Sequence, residues 1–329
     1  MRFTNLRRGR RRLRAPALAA TAAALVLAGC GVATDDQRID GGRGGGEDAV
    51  LTVATTTNFI TDTVQRIGGD RVAVTGLMGP GVDPHLYKAS AGDVRTLREA
   101  DAIFYGGLFL EGKMAEVLEE LSERVPTVAV SEAIPEDRLL DPPAGAAPEE
   151  EHDPHVWFDP SLWAYAVAAI RDQLTELDPE GVAAYRRNAD RLLAEMRELE
   201  ERGRATIAEI PERRRVLVTS HDAFAYFGRA FGLDVHAIQG ISTADEATTA
   251  DVERIAELIA ERGVPAVFVE SSVPRQTIEA VIAAARDRGH EVRIGGELYS
   301  DAAGDAGTPE GTYVGMVQAN IDTIAEGLR

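Results

Sequence analysis

The sequence predicts an α/β protein built from two similar parallel-sheet lobes joined by one long rigid helix. Three observations carry that expectation. Short apolar runs alternate with helical patterns through residues 50–130 and again through 215–328, and such alternation implies parallel strand pairing in layered α/β units. Between them, the stretch after Pro179 runs to Ile210 without a proline, with Leu192, Leu193, Met196, Leu199 and Ile207 spaced for one helical face. The halves also echo one another: Val53-Ala54-Thr55 leads into Thr57-Asn58-Phe59, and Val218-Thr219-Ser220 leads into His221-Asp222-Ala223-Phe224.

In chain order, Val50 to Ala54 reads as a strand, and Phe59, Ile60, Val64 and Ile67 mark a helix. Val72 to Leu77 is the next strand, Val94 to Ala100 a helix, and Ala102 to Tyr105 a strand. Met114 to Leu121 is helical and Thr127 to Val130 extended. Pro135 to Pro154 interrupts the pattern with Pro142-Pro143, Pro148 and three consecutive glutamates, and reads as a solvated acidic loop. After the long helix, strands are expected at Arg215–Thr219, Leu233–Ile238, Ala266–Val269 and Glu291–Ile294. Helices are expected from Ala223, over Thr249–Arg262 and Arg275–Arg288, and finally over Thr312–Leu328. Thr248-Thr249-Ala250-Asp251-Val252-Glu253 offers capping residues for the second of these.

The chain has 329 residues, 44% hydrophobic and 27% charged, which excludes a disordered chain and a polytopic membrane protein. One cysteine, Cys30, excludes an intramolecular disulfide and a cysteine-built metal site. Acids outnumber bases 54 to 35, a balance that repels phosphate backbones and argues against nucleic-acid binding. Residues 1–29 are different in kind. Seven arginines without an acid precede an apolar run from Ala15 to Ala28, too short to span a bilayer, which takes roughly 20 apolar residues. This reads as an export signal peptide. It ends Leu27-Ala28-Gly29-Cys30, which resembles the lipobox of bacterial lipoproteins, where the cysteine thiol is lipidated. Loss of residues 1–29 takes seven of the 35 bases and leaves 28 against 54 acids. Residues 30–48 hold six glycines and read as a flexible tether. The expected organisation is then a lobe over 49–178, a linking helix over 179–211 and a second lobe over 212–329.

Three of the six histidines stand in unusual contexts: Asp83-Pro84-His85-Leu86-Tyr87, Asp153-Pro154-His155-Val156-Trp157, and Ser220-His221-Asp222-Ala223-Phe224. Proline fixes one dihedral and presents the next side chain from a stiff extended segment. Imidazole is the commonest protein metal ligand, and the aromatic two residues on can shield a site from water. An ordinary imidazole must be neutral to bind metal, so affinity is expected to fall as pH drops through about 6.5. His236 reads as structural within an apolar run, His290 as a turn residue and His152 as a loop residue.

On these segments the chain resembles the cluster A-I metal-binding lipoproteins, the solute-binding subunits of zinc and manganese ABC importers. The resemblance implies two α/β lobes joined by a rigid helix, with the metal site in the cleft. It assigns ligand roles to His85, His155 and His221, the last within Ser220-His221-Asp222-Ala223-Phe224-Ala225-Tyr226-Phe227. Asp301, in Leu298-Tyr299-Ser300-Asp301, matches the family's fourth ligand. The bound species is one divalent transition-metal ion. Three imidazoles and a carboxylate suit tetrahedral zinc, whereas a bidentate Asp301 makes manganese acceptable; zinc is the favoured ion. The long histidine-rich loop of many zinc members is replaced here by the short acidic Asp141–Glu151. The resemblance further implies a non-enzymatic monomer that is lipid-anchored on the outer face of the cytoplasmic membrane and delivers metal to the membrane permease of an ABC transporter. Two alternatives stand beside it. An exported metal-dependent hydrolase would use His85, His155 and His221 with an open position for water, although no His-Glu-x-x-His helix is present. An adhesin-like surface lipoprotein is the other.

Overall fold

A computed structural model describes residues 49–143, 146–244 and 246–329; the leader, Cys30 and the whole tether over 30–48 lie outside the described residues. The first lobe is built on β1 (Leu51–Thr55), β2 (Val72–Gly76), β3 (Ala102–Tyr105) and β4 (Thr127–Ala129). They form one parallel sheet in the order β2-β1-β3-β4, with Val53 opposite Val74 and Ala102, and Phe104 opposite Val128. Helix α1 (Asn58–Gly68) buries Phe59, Ile60, Val64 and Ile67 on one face, the stripe expected from their spacing. Helices α2 (Ala91–Glu99) and α3 (Ala115–Ser122) follow, α2 opened by a capping box between Ser90 and Asp93.

Helix α4 (Pro160–Leu177) occupies a region to which the sequence analysis assigned no element. Its start signals are present: Asp159 caps it by accepting from the Ser161 N–H, and Pro160 stands in the first turn. Its apolar residues, however, do not leave one polar face. Leu162, Trp163, Ala166, Val167, Ile170 and Leu174 form its buried stripe, but the partly buried Ala164, Tyr165, Ala168 and Ala169 carry apolar residues round to the other side and blur the amphipathic periodicity.

The long helix α5 spans Val182–Ala208, 27 residues or about 40 Å. Tyr185, Ala189, Leu192, Met196, Leu199, Gly203 and Ile207 form its buried stripe. It packs against α1 and α4 of the first half, and against α6 (Ala225–Phe231) and α9 (Tyr313–Leu328) of the second. Gly203 makes the second contact possible, because a Cβ there would fall 2.6 Å from Ile321 and from Phe231.

The second lobe also pairs its strands in parallel, but in two separate ladders. Strand β5 (Val216–Thr219) pairs with β6 (Asp234–Ala237), and β7 (Ala266–Glu270) with β8 (Arg293–Leu298). Helix α7 (Thr249–Arg262) carries the expected Thr248–Asp251 capping box, and α8 (Gln276–Asp287) follows β7. Strand β8 runs four residues beyond the expected Glu291–Ile294. Gly295 and Gly296 interrupt the apolar pattern, yet both sit in the strand. A Cβ at Gly296 would meet Thr323 of α9 at 2.3 Å, and one at Gly295 would meet Phe268 at 2.7 Å. The glycines there serve close packing of α9 on the sheet.

The acidic loop is solvated only in part: Glu149 and Glu151 are exposed, but Asp153 is buried. The loop is pinned by Tyr226, whose hydroxyl accepts from the Leu140 N–H and donates to the Asp153 carbonyl. No described helix is long and apolar enough to cross a membrane.

Candidate metal centre

Parallel pairing sends every strand of both lobes out of its sheet along the same edge, the edge where open α/β folds place their ligand sites. His85 lies in the segment after β2, His221 directly after β5 and Asp301 directly after β8. His155 precedes the short 3-10 turn Val156–Phe158 that leads to α4. One candidate ligand atom from each of the four lies within 4.8 Å of the others. Among the described residues this is the one group of three or more His, Cys, Asp or Glu side chains so placed. His155, His221 and Asp301 have no exposed surface, and His85 only 5%.

The two Asp-Pro-His segments begin alike. The backbone N–H of His85 donates to Asp83, and that of His155 donates to Asp153, each at 2.9 Å. They then diverge. Asp153 Oδ1 also accepts from Nδ1 of His155 at 2.7 Å, whereas Asp83 turns its other oxygen to the Thr243 hydroxyl at 2.5 Å. His221 has a carboxylate partner that the sequence analysis did not single out. Glu270, the last residue of β7, accepts from His221 Nδ1 at 2.5 Å and from the Ser220 and His221 backbone N–H groups at 2.7 and 3.0 Å. Its only local signal is an acid closing a fully buried apolar strand. With Nδ1 donating to a carboxylate, Nε2 is the atom left to face the site in both His155 and His221.

The Nε2 atoms of His85 and His155 are 3.4 Å apart. Asp301 Oδ1 lies 3.3 Å from His221 Nε2 and 3.6 Å from His155 Nε2. His221 Nε2 and Asp301 Oδ1 nevertheless make no properly aligned hydrogen bond. Buried polar atoms are almost always paired, so two such atoms converging on one point is the arrangement expected of a cation site. The other oxygen of Asp301 accepts from Ser272 at 3.0 Å. Trp157 packs on the His155 ring with centroids 5.1 Å apart and closes the site on that side.

Burial and charge set the protonation of the metal-free cluster. Burial drives His85 down to about 3, so its imidazole is neutral. Burial also disfavours the charged form of His155, but Asp153 and Asp301 more than offset it and raise the group to about 9. His221 is raised well above the usual imidazole range, because Asp301 and Glu270 outweigh its burial. Asp301 is held well below the usual carboxylate range by His221 and His155, against the effect of burial.

The remaining histidines lie outside the cluster. His236 is on β6 beside Asp234 at 3.1 Å, and Nε2 of His290 is 2.8 Å from the Val264 carbonyl oxygen in the turn after α8. His152 is half-buried in the loop with Nδ1 unpartnered among the described residues. Ser220 has no hydrogen bond to its hydroxyl, and the His221 ring is committed to Glu270 and Asp301. A serine-histidine nucleophile is therefore not assembled there.

Two parallel α/β lobes, a long helix packed on both, and a buried His/His/His/Asp cluster at the strand ends define a two-lobed solute-binding protein of the metal-binding type. A family model, "Zinc-uptake complex component A periplasmic", matches residues 53–327, and the chain belongs to this family. It is 48% identical over 307 residues to the manganese-binding lipoprotein MntA of Bacillus subtilis (strain 168), covering 93% of this chain and 96% of that protein. It is 47% identical over 305 residues to the zinc-binding protein TroA of Treponema pallidum (strain Nichols), covering 93% and 97%. The solved structure of the periplasmic zinc-binding protein TroA from Treponema pallidum superposes with a TM-score of 0.81. That match has 49% identity and covers 84% of this chain and 99% of that one.

Proposed function

We propose that this chain captures one divalent transition-metal ion outside the cytoplasmic membrane, using His85, His155, His221 and Asp301, and delivers it to the membrane permease of an ABC importer. The observation that carries this reading is the convergence of buried, unpaired His221 Nε2 and Asp301 Oδ1 with the Nε2 atoms of His85 and His155. Zinc is the favoured ion and manganese the alternative. Bonds of about 2.0–2.1 Å in a tetrahedron put ligand atoms roughly 3.3–3.4 Å apart; separations of 3.3, 3.4 and 3.6 Å lie near that figure, within a set of four atoms that spreads to 4.8 Å. The two similar relatives, one manganese-binding and one zinc-binding by name, support the metal class without choosing within it. Four protein ligands leave a tetrahedral ion no open position for an activated water, so the protein binds and releases its cargo without chemistry.

In this reading residues 1–29 are removed as a signal peptide, Cys30 carries the lipid, and residues 30–48 form the tether. Lobes over 49–178 and 212–329 are joined by 179–211, and the protein acts as a monomer. Native mass spectrometry with elemental analysis after growth in metal-replete medium is expected to find one transition-metal ion per chain. Zinc at 100 times its dissociation constant adds about 2.7 kcal/mol to the folded state, so the melting temperature is expected to fall on chelation and return with zinc. No bound metal and an unmoved melting temperature count against the whole reading. Cys30→Ser is expected to release the protein from the membrane fraction; normal membrane retention of that variant argues against lipid anchoring at Cys30.

A further inference from the structure

The turn that carries Asp301 is chain of the second lobe, but it is hydrogen-bonded to both lobes. The side-chain amide of Asn58, the first residue of α1, pairs with both backbone groups of Ala303. Nδ2 donates to the Ala303 carbonyl at 2.8 Å, and Oδ1 accepts from the Ala303 N–H at 2.8 Å. One turn further along α1, Asp62 accepts from the N–H of Tyr313, the first residue of α9, at 2.9 Å. On the opposite flank, the indole N–H of Trp157 donates to the Ser300 carbonyl at 3.2 Å, and the Tyr313 hydroxyl donates to the Trp157 carbonyl at 2.8 Å. The turn is thus clamped on both sides of Asp301 by elements of the first lobe. From its own lobe, Ser272 contacts Ser300 and Asp301, the Asn320 amide pairs with both backbone groups of Tyr299, and the Gly304 N–H donates to the Glu310 carbonyl, so Asn58 and Trp157 are the contacts that tie the turn to the first lobe.

We infer that Asn58 is a positioning residue for the Asp301 ligand. Its amide pair with Ala303 makes Asp301 part of one frame with His85 and His155, against which His221 and Glu270 close. The inference rests on the proposed metal site. An uncharged amide has little direct effect on a bound cation, so the influence of Asn58 passes through the position of the carboxylate. Metal sites demand ligand distances within about 0.2 Å, and a turn released from one of its clamps does not keep that tolerance. The pairing is specific to an amide: it donates to one backbone group and accepts from the next, as a neighbouring peptide would. An aspartate at this position retains the acceptor but sets a carboxylate oxygen against the Ala303 carbonyl.

The test is a double-mutant cycle on the full chain, read with zinc alone by chelator competition. Asn58→Ala and Asn58→Asp are each expected to weaken zinc binding about 10–100-fold, the range found when a supporting partner of a ligand is removed. Combined with Asp301→Ala, neither is expected to weaken it further by more than about 2-fold, the scatter allowed for uncoupled sites. The visible spectrum of the cobalt-loaded protein is expected to change in Asn58→Ala, while Asn58→Ala/Asp301→Ala gives the Asp301→Ala spectrum. A general packing role predicts the same loss in both backgrounds and an unmoved cobalt spectrum, and that result overturns the proposal; so does wild-type affinity in both Asn58 variants. Asn58→Asp is near-isosteric and keeps the cycle readable if Asn58→Ala folds poorly. Wild-type protein that takes up no zinc, or Asp301→Ala that binds like wild type, overturns the metal-site reading and the proposal with it. Those two outcomes are visible before any Asn58 variant is measured.

Discussion

Asp301→Ala is expected to lose more than about 100-fold in metal affinity, beyond the 10–100-fold typical of losing a ligand's supporting partner. With the imidazoles neutral, as metal binding requires, Asp301 is the only charged member of the four, and it is fully buried. Its removal leaves three imidazoles, a set that with water still suits zinc better than a hard oxygen-seeking ion. Manganese binding should therefore fall further than zinc binding. Removing it also takes away one of the two carboxylates beside each of the buried His155 and His221 rings, leaving Asp153 and Glu270, so the metal-free fold is expected to lose stability as well. Asp301→Asn keeps the shape of the turn and separates the two effects. Titrations with zinc and with manganese, together with melting curves of the metal-free variants, provide the check. Unchanged affinity and unchanged zinc-to-manganese preference in both variants would reduce Asp301 to a turn residue and reopen the hydrolase alternative.

The second large effect is that of pH. In the metal-free protein at pH 7, His155 and His221 carry protons, whereas His85 is neutral and Asp301 ionised. A metal needs the lone pair of each Nε2, so uptake expels about two protons. Protons compete with metal for the same atoms, and lowering the pH favours the metal-free state. Affinity is expected to drop by about 100-fold per pH unit between pH 8 and 6, two protons contributing tenfold each. An unshifted imidazole places the onset near 6.5; Asp153 and Asp301 move it up to about 9 for His155, and Asp301 and Glu270 hold His221 well above the usual imidazole range. The linkage has the opposite sign for the metal-free fold. Raised histidines stabilise it fully below about pH 6.5, and that contribution fades as the pH climbs through about 9. Calorimetry at pH 7 in buffers of different ionisation enthalpy counts the protons released. A count near zero would mean that the imidazoles are already neutral and that the carboxylates around them do not set the affinity.

Much of the fold was legible because its signals are local. The Phe59, Ile60, Val64, Ile67 stripe of α1, the Thr248–Asp251 capping box and the long proline-free run of α5 each depend on residues within a few turns of one another. Helix α4 is hard to read from sequence for a physical reason: Ala164, Tyr165, Ala168 and Ala169 place apolar residues outside its buried stripe, so the contrast between its two faces is weak. Strand β8 was cut short because Gly295 and Gly296 look like a break, although their missing side chains are what lets α9 approach. The two lobes likewise share parallel pairing, but the second divides into two ladders, with the Glu270 side chain meeting the backbone beyond β5.

The candidate side chains are picked out by short-range features: two Asp-Pro-His segments, a histidine at a strand-to-helix turn and an aspartate near the C-terminus, set by proline stiffness and residue chemistry. How those side chains are held is a matter of tertiary packing. It chose Glu270 as the partner of His221 from 49 residues away, gave the two Asp-Pro-His aspartates different partners, and tied the Asp301 turn to Asn58 across 245 residues. Periodicity records which face of an element is buried. The pairing of polar groups between elements that far apart is decided when parallel strands bring their carboxyl ends together, because the cost of burying those groups unpaired is met only by the partners that packing places beside them.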